Sequence, residues 1–192
     1  MEITMLASDF KKHLVRALTC ADSSRVDYRG SLYIKDKFIY STDGKKLYKG
    51  YLNINGESFE YRISALVATM VEKALPKKGN SLVIFDLSNK KVILKNEGFL
   101  QEFSVPDTGV KVPPFEEIFE YQIDQNACRQ FSMENLFPVL KAVSKEYVKI
   151  EFVTYPDRED FRNEGGPAII SVMEPHLTGI FVVMPFIETI NY

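Results

Sequence analysis

Asp157, Glu159, Asp160 and Glu164 sit in one short run with His176 downstream. These are the residue types of general acid–base catalysis and of metal coordination. Arg158 and Arg162 interrupt the acids, and Gly165 and Gly166 follow, so the run reads as a charged hairpin loop with its salt bridges in solvent. His176, in Glu174-Pro175-His176-Leu177, reads as a turn residue. Cys20 and Cys128 form no CxxC pair, and a structural zinc site needs about four neighbouring nitrogen or sulfur ligands. The two cysteines read as reduced thiols, with a disulfide as the alternative. No nucleophile elbow, phosphate-binding glycine loop, HExxH pair or dinucleotide fingerprint occurs. The expectation is a protein that is not an enzyme, with no catalytic residue, no metal and no cofactor.

The cations point elsewhere. Lys12 and Arg16, with Thr19, fall opposite the apolar stripe of a first helix; Lys141 and Lys145, one turn apart, do the same on a third. Cations turned away from a core suit phosphate contact without reading bases. An ordinary solvated face has the same composition. The second helix breaks the pattern, because its outward positions include Ala65, Ala68 and Glu72, and its positive charge arrives only at Lys77 and Lys78.

Helices and strands must position these residues. A first helix runs from Ser8, as N-cap, to about Ala21, with Phe10, Leu14, Ala17, Leu18 and Ala21 on one stripe. A second runs from about Ser64 to Leu75, ended by Pro76, with Leu66, Val67, Met70, Val71 and Ala74 inward. A third runs from Asn135, as N-cap, to Ser144, with Leu136, Val139, Leu140 and Val143 inward and Pro138 in the first turn. Strands are expected over 31–35, 37–41, 46–54, 81–87, 91–95, 99–105, 147–155, 168–173 and 180–184. A helix followed by about three strands thus recurs three times. The fold class is α+β, with helices gathered on one face of antiparallel sheets.

The chain has 192 residues, 45% of them hydrophobic, which is enough for one large or two small domains with a real core. Its net charge of −2 requires any nucleic-acid contact to come from a local patch. The N-terminal residues offer no basic stretch or long apolar run of a signal peptide, and no apolar run approaches the roughly 18 residues of a membrane span. A soluble cytoplasmic protein with no membrane partner is expected.

Ser41-Thr42-Asp43-Gly44-Lys45-Lys46-Leu47-Tyr48, followed near the end by Gly179-Ile180-Phe181-Val182-Val183-Met184-Pro185-Phe186, resembles the two halves of the partner-binding pocket of a bacterial sliding clamp, the beta subunit of DNA polymerase III. The first piece is similar to the Thr-Asp-(Gly/Ser)-His-Arg-Leu of that family's middle domain, and the second to its closing Tyr-Val-Val-Met-Pro. Val112-Pro113-Pro114-Phe115-Glu116-Glu117-Ile118-Phe119 resembles the connector that follows the middle domain. Lys45-Lys46 stand where the family has His-Arg, keeping charge but losing the planar fork. Bacterial clamps carry three domains per chain, and this chain has room for about one and a half.

The resemblance implies a DNA-clamp fold, with residues 1–115 as one complete clamp-like domain and 116–192 as the second half of a last domain. It implies a DNA polymerase processivity factor that holds double-stranded DNA without sequence preference, through Lys12, Arg16, Lys141 and Lys145. It also implies a pocket for the peptides of a polymerase, a clamp loader or other clamp-binding proteins. Leu47, Val182, Val183, Met184 and Pro185 would be its apolar walls, Thr42 and Gly44 would let backbone approach, and Lys45 and Lys46 would be its basic rim. The same apolar residues read equally as a buried sheet edge, and Ile190 and Tyr192 of the tail are candidates to cover the groove. The alternative function is a clamp-like interaction module or replication regulator that does not encircle DNA. Ring closure, as a homo-oligomer of up to four chains, stays open.

Overall fold

The computed structural model describes residues 2–54, 59–96, 98–106, 113–125, 129–144, 147–155, 166–172 and 178–185. One order of elements occurs three times. The first unit is β1 (Glu2–Leu6), α1 (Ala7–Leu18), β2 (Ser31–Lys35), β3 (Phe38–Thr42) and β4 (Lys46–Tyr51). The second is β5 (Tyr61–Ser64), α2 (Ala65–Ala74), β6 (Leu82–Asp86), β7 (Lys91–Asn96) and β8 (Phe99–Ser104). The third is β9 (Gln122–Ile123), α3 (Met133–Ala142), β10 (Val148–Thr154), β11 (Ala168–Val172) and β12 (Gly179–Val183). The class is α+β, as the sequence indicates.

The first two units complete one another by exchanging their opening strands. β1 runs into α1 without a linker, so it cannot fold back beside β2; it pairs with β6, in a four-stranded sheet ordered β1-β6-β7-β8. β5 likewise pairs with β2. The second sheet has eight strands in the order β5-β2-β3-β4-β12-β11-β10-β9, so units one and three join where their last strands, β4 and β12, pair antiparallel. In unit three a stretch of chain separates β9 from α3, and β9 does fold back, pairing with its own β10 at Val153 and Thr154. The β2–β3 hairpin turns on Asp36 and Lys37, both with positive φ (50° and 67°), the backbone of a type I′ turn.

The helices lie along one side of the sheets, with α1 between α2 and α3 and packed on both. The main core fills the space between. Phe10, Leu14 and Ala17 of α1 meet Ile3 and Phe85 from one sheet and Ile39, Tyr48 and Phe181 from the other. Phe10 and Phe85 cross edge to face at 5.1 Å.

The helix stripes depart from the sequence reading in two places. On α2 the buried positions are Ala65, Ala68 and Val71, whereas Leu66 (67% exposed) and Met70 (53%) face solvent. Ala65, Ala68 and Glu72, with Leu66 and Met70, fit a helical period in either orientation. Ala65, Ala68 and Val71 take the core side, and α2 packs beside α1. The third helix begins at Met133, three residues earlier than an Asn135 cap allows, and it carries Pro138 in its interior. Ser132 is the cap residue. Ser8 lies inside α1, whose cap residue is Leu6.

The β4–β12 joint encloses an unusual pair. Tyr48 of β4 points inward and its hydroxyl hydrogen-bonds His13 Nδ1 of α1 at 2.8 Å, both side chains being buried. Gly50 and Gly179 oppose each other across the joint. A Cβ on Gly179 would come within 2.8 Å of the Tyr48 hydroxyl, and one on Gly50 would strike both that hydroxyl and the His13 ring. The facing glycines make the space that the Tyr48 ring fills. Gly179→Ala is therefore expected to displace Tyr48 and lower the unfolding free energy by about 1–3 kcal/mol, measured by urea denaturation. An unchanged midpoint contradicts this packing account.

Candidate partner-binding site and helical face

Thr42 to Leu47 form the turn between β3 and β4, and the turn is closed by its own side chains. The Thr42 hydroxyl donates to Lys46 O at 2.7 Å and accepts from Gly44 N at 3.0 Å. Asp43 Oδ1 accepts from the amides of Lys45 and Lys46, each at 2.8 Å. Gly44 takes a φ of 91°, which its lack of a side chain permits. The end of β12 lies alongside this turn: Val183 faces Lys46, Val182 faces Leu47, and Met184 N donates to Lys45 O at 2.9 Å. The two sequence segments are thus neighbours in space.

Within that neighbourhood the residues do not act together as the sequence suggests. Successive strand residues point to opposite faces. Leu47 and Val182 point to the outer face of the eight-stranded sheet, whereas Val183 points to the helix side and joins the main core with Phe181. Val183 is therefore no wall of a pocket shared with Val182. Lys46 is not a free cation at a rim: its ammonium is 2.6 Å from Asp43 Oδ2 and both side chains are largely covered. Lys45 and Gly44 are exposed, Met184 is half-buried, Pro185 is buried and Thr42 is nearly so.

The outer face carries a second hydrophobic cluster that the sequence did not reveal. Leu47 and Val182 share it with Tyr33, Tyr40, Val153, Tyr155, Ile169 and Phe115. Phe115 opens a 3₁₀ turn, Phe115–Phe119, in the connector between units two and three. Its ring stacks on Tyr40 at 5.0 Å and leans on Tyr33 at 5.7 Å. The Tyr155 hydroxyl donates to Ile118 O at 2.6 Å, and the Lys49 ammonium lies 4.5 Å from the centre of the Phe119 ring and 4.6 Å from that of Phe38. The connector is thus laid over the walls of the candidate pocket. The signal was present in the alternation of β2 and β3, which puts Tyr33 and Tyr40 on the face opposite Leu32 and Ile39, and in the aromatic connector.

On the helical side Lys12 and Lys141 are exposed, as expected. Arg16 is not: it is only 1% exposed and belongs among the buried side chains, because α1 is covered on three sides by α2, α3 and the sheets. Lys145 lies outside the described residues, as do Cys128, Ile190, Tyr192 and the acidic set Asp157, Glu159, Asp160, Glu164 and His176. Lys11, which sequence reasoning passed over, reaches across to α2. Its ammonium donates to the carbonyls of Glu72 and Leu75, each at 2.7 Å, and lies 3.2 Å from the Glu72 carboxylate. It caps the carbonyl end of α2, where positive charge is favoured. Ser8, Lys11, Lys12, Val15, Arg16, Lys77 and Ala142 together line a cleft of 230 Å³. Cys20 is free and fully buried, and burial pushes its thiol up to about 12.

No protein-family model matches the sequence, and no curated protein matches it. Solved structures do. A DnaN sliding clamp, DNA polymerase III subunit beta, from Pseudomonas aeruginosa bound to griselimycin superposes with a TM-score of 0.74 at 11% identity, over 97% of this chain and 65% of that one. The fold is that of a DNA sliding clamp. A putative DNA polymerase III beta subunit from Eubacterium rectale gives a TM-score of 0.73 at 9% identity, with 97% and 65% covered. A PCNA from A. fulgidus, bound to the C-terminal region of FEN-1, gives 0.62 at 10% identity, over 98% of this chain and 99% of that one. The clamp-fold chain here therefore spans about two thirds of the length of these two bacterial chains and nearly all of the PCNA chain.

Because Phe115 holds the connector on the outer sheet, Phe115→Ala is expected to cost about 3–5 kcal/mol of stability by urea denaturation. A loss below about 1 kcal/mol would mean that the connector rests on the sheet without anchoring there.

Proposed function

We propose that this chain is a sliding-clamp-like DNA polymerase processivity factor of the cytoplasm, not an enzyme, that holds double-stranded DNA without sequence preference and recruits replication proteins through short peptides. Residues 1–115 act as a complete clamp-like domain and 116–192 as a half domain. The observation that carries the reading is architectural: the helices share one side, the sheets form the other, and the arrangement superposes on sliding clamps over 97% of the chain. Exposed cations support it. Lys12, Lys73, Lys77, Lys78 and Lys141 lie on or just beyond the three helices.

Such a surface attracts DNA weakly. With about four phosphate contacts the affinity falls with salt by a slope of only about −0.9 per contact. Retention then depends on enclosure. Joint replacement of Lys12, Lys77 and Lys141 by Glu is expected to abolish salt-dependent binding to duplex DNA in fluorescence anisotropy, whereas Lys149→Glu, in β10 away from the helices, leaves it intact. Equal losses from both changes would remove the helical face from the account.

Partner peptides would dock where Met184, Pro185, Gly44 and Lys45 meet beside the turn, with Leu47 and Val182 beneath. Met184→Glu is expected to weaken binding of short clamp-binding peptides more than about tenfold without loss of fold, read by calorimetry and circular dichroism. Undiminished affinity would exclude this position. The second reading, an interaction module that does not encircle DNA, is favoured by one observation: α2 presents Leu66 and Met70 outward where a polyanion would call for cations. Retention on nicked circular DNA and loss on linearisation separate the two, since only an encircling assembly shows both.

A further inference from the structure

We propose that unit three is a half domain completed by unit three of a second copy of this chain, the two α3 helices packing side by side about a two-fold axis. The chain contains the pattern in its other two units. Each lays its helix over the first strand that follows the helix of the other: α2 packs on β2 and α1 on β6. Leu32 and Ile34 of β2, and Val83 and Phe85 of β6, are buried in that arrangement. In unit three the equivalent place is open. On β10, the counterpart of β2, Ile150 points to the helix side with Ile170 but is 49% exposed. Phe152, two residues on, is only half-buried where it stacks on Phe131. β9 already stands beside β10 as β5 stands beside β2, so the strand is in place and a covering helix is what remains to be supplied.

The open flank of α3 is the flank that the other two helices bury. Counted from the start of each helix, Ala7, Lys11 and Leu14 on α1 correspond to Ala65, Thr69 and Glu72 on α2, and to Met133, Phe137 and Leu140 on α3. A spacing of i, i+4 and i+7 puts each set on one flank. On α1 and α2 these flanks face each other: the Lys11 ammonium lies against Glu72, and Ala7 and Ala65 are both buried. On α3 the same flank is apolar throughout, yet Met133 is 63% exposed and Phe137 56%. The other flank of α3 is spent on α1, where Ala142 lines a cleft with Val15 and Arg16.

A second α3 is the occupant that fits. α1 and α2 run antiparallel, since Lys11 near the start of α1 reaches the carbonyl of Leu75 at the end of α2. Two α3 helices set the same way bring Glu134, in the first turn of one, beside Lys141, in the last turn of the other, twice over by symmetry. Both side chains are exposed, and neither charged group has a partner among the described residues. Between these charges Met133, Phe137 and Leu140 of one copy meet the same residues of the other, and each helix covers Ile150 of the other chain. The result is a domain shared by two chains, closed by helix packing and not by adding strands to a sheet. The inference rests on the reading of residues 116–192 as a half domain and needs nothing of DNA binding.

The test is the solution mass of the full chain, without DNA, by light scattering over a concentration series. The mass is expected to rise to that of a dimer. Phe137→Glu, which sets two carboxylates in the apolar seam, is expected to raise the dissociation constant more than about tenfold. Circular dichroism is expected to stay native, because Phe137 is exposed in the single chain. Leu100→Glu, on β8 of unit two, is expected to leave the dimer unchanged. Glu134→Lys is expected to raise the dissociation constant about threefold or more at low salt, and adding Lys141→Glu to that variant to restore it. A chain that stays monomeric at every concentration, a dimer indifferent to Phe137→Glu, a dimer lost with Leu100→Glu, or no recovery in the double variant each overturns the proposal. If Phe137→Glu fails to fold, the charge pair decides alone. Duplex-DNA binding by a chain that stays monomeric would overturn this inference and leave the clamp reading standing.

Discussion

The pairing of β4 with β12 is the constraint on which the rest of the molecule depends. Among the described residues it is the one place where unit three is hydrogen-bonded to unit one, and it makes an eight-stranded sheet out of two shorter ones. Strand pairing alone would leave register undetermined to within two residues. Tyr48 removes the freedom. Its ring needs the empty space under both Gly50 and Gly179, and only the register that sets those glycines opposite each other supplies it. The Tyr48–His13 bond then ties the joint to α1, so one local fit fixes the sheet junction and the height of the central helix together. The turn at Thr42–Lys46 and the end of β12 inherit their proximity from this fit.

The same joint explains why the connector lies where it does. Joining two sheets edge to edge makes a broad outer face bearing Tyr33, Tyr40, Leu47, Val153, Ile169 and Val182. A face that apolar needs a cover, and α1 to α3 are all committed to the other side. The connector is the segment free to supply it. Phe115 and the turn after it do so with one stacked ring, a hydroxyl-to-carbonyl bond and the cation of Lys49 among aromatic rings. What the sequence suggests as a linker between modules is, physically, part of the core of the second face.

Local patterns were legible where one principle acted alone. The nine strands read from alternation are all present to within a few residues at each end, and Ser64 caps α2 as its type suggests. Of the missing strands, β5 and β9 are short, and β1 and β5 run straight into a helix, so that the alternating period gave way to the helical one without a turn residue to mark the boundary. Helix facing failed for a different reason. On α2 the side turned to the core carries Ala65, Ala68 and Val71 and the outward side Leu66 and Met70, so the more hydrophobic stripe is the exposed one. Arg16 fell to another cause: a helix covered on three sides has almost no outward face, and single-helix periodicity cannot count its neighbours. For the candidate site, proximity of the two segments was readable from their resemblance to a known pair. The division of Val182 from Val183 follows from strand geometry alone, but the burial of Leu47 in the cluster that Phe115 completes is long-range and had no local sign.

A clamp must solve two problems that pull apart: it has to stay on DNA, and it has to slide. Dense positive charge would serve the first and impede the second. In this chain the helical face is sparse in cations and includes Val15, Leu66, Met70, Met133 and Phe137 among its exposed side chains. Such a face cannot hold a polyanion by charge alone at physiological salt. On the clamp reading the burden therefore moves from side chains to topology, that is, to whatever joins the ends of the sheets. The molecule already contains one answer to that problem in its own β4–β12 junction, where register is enforced by shape and not by charge.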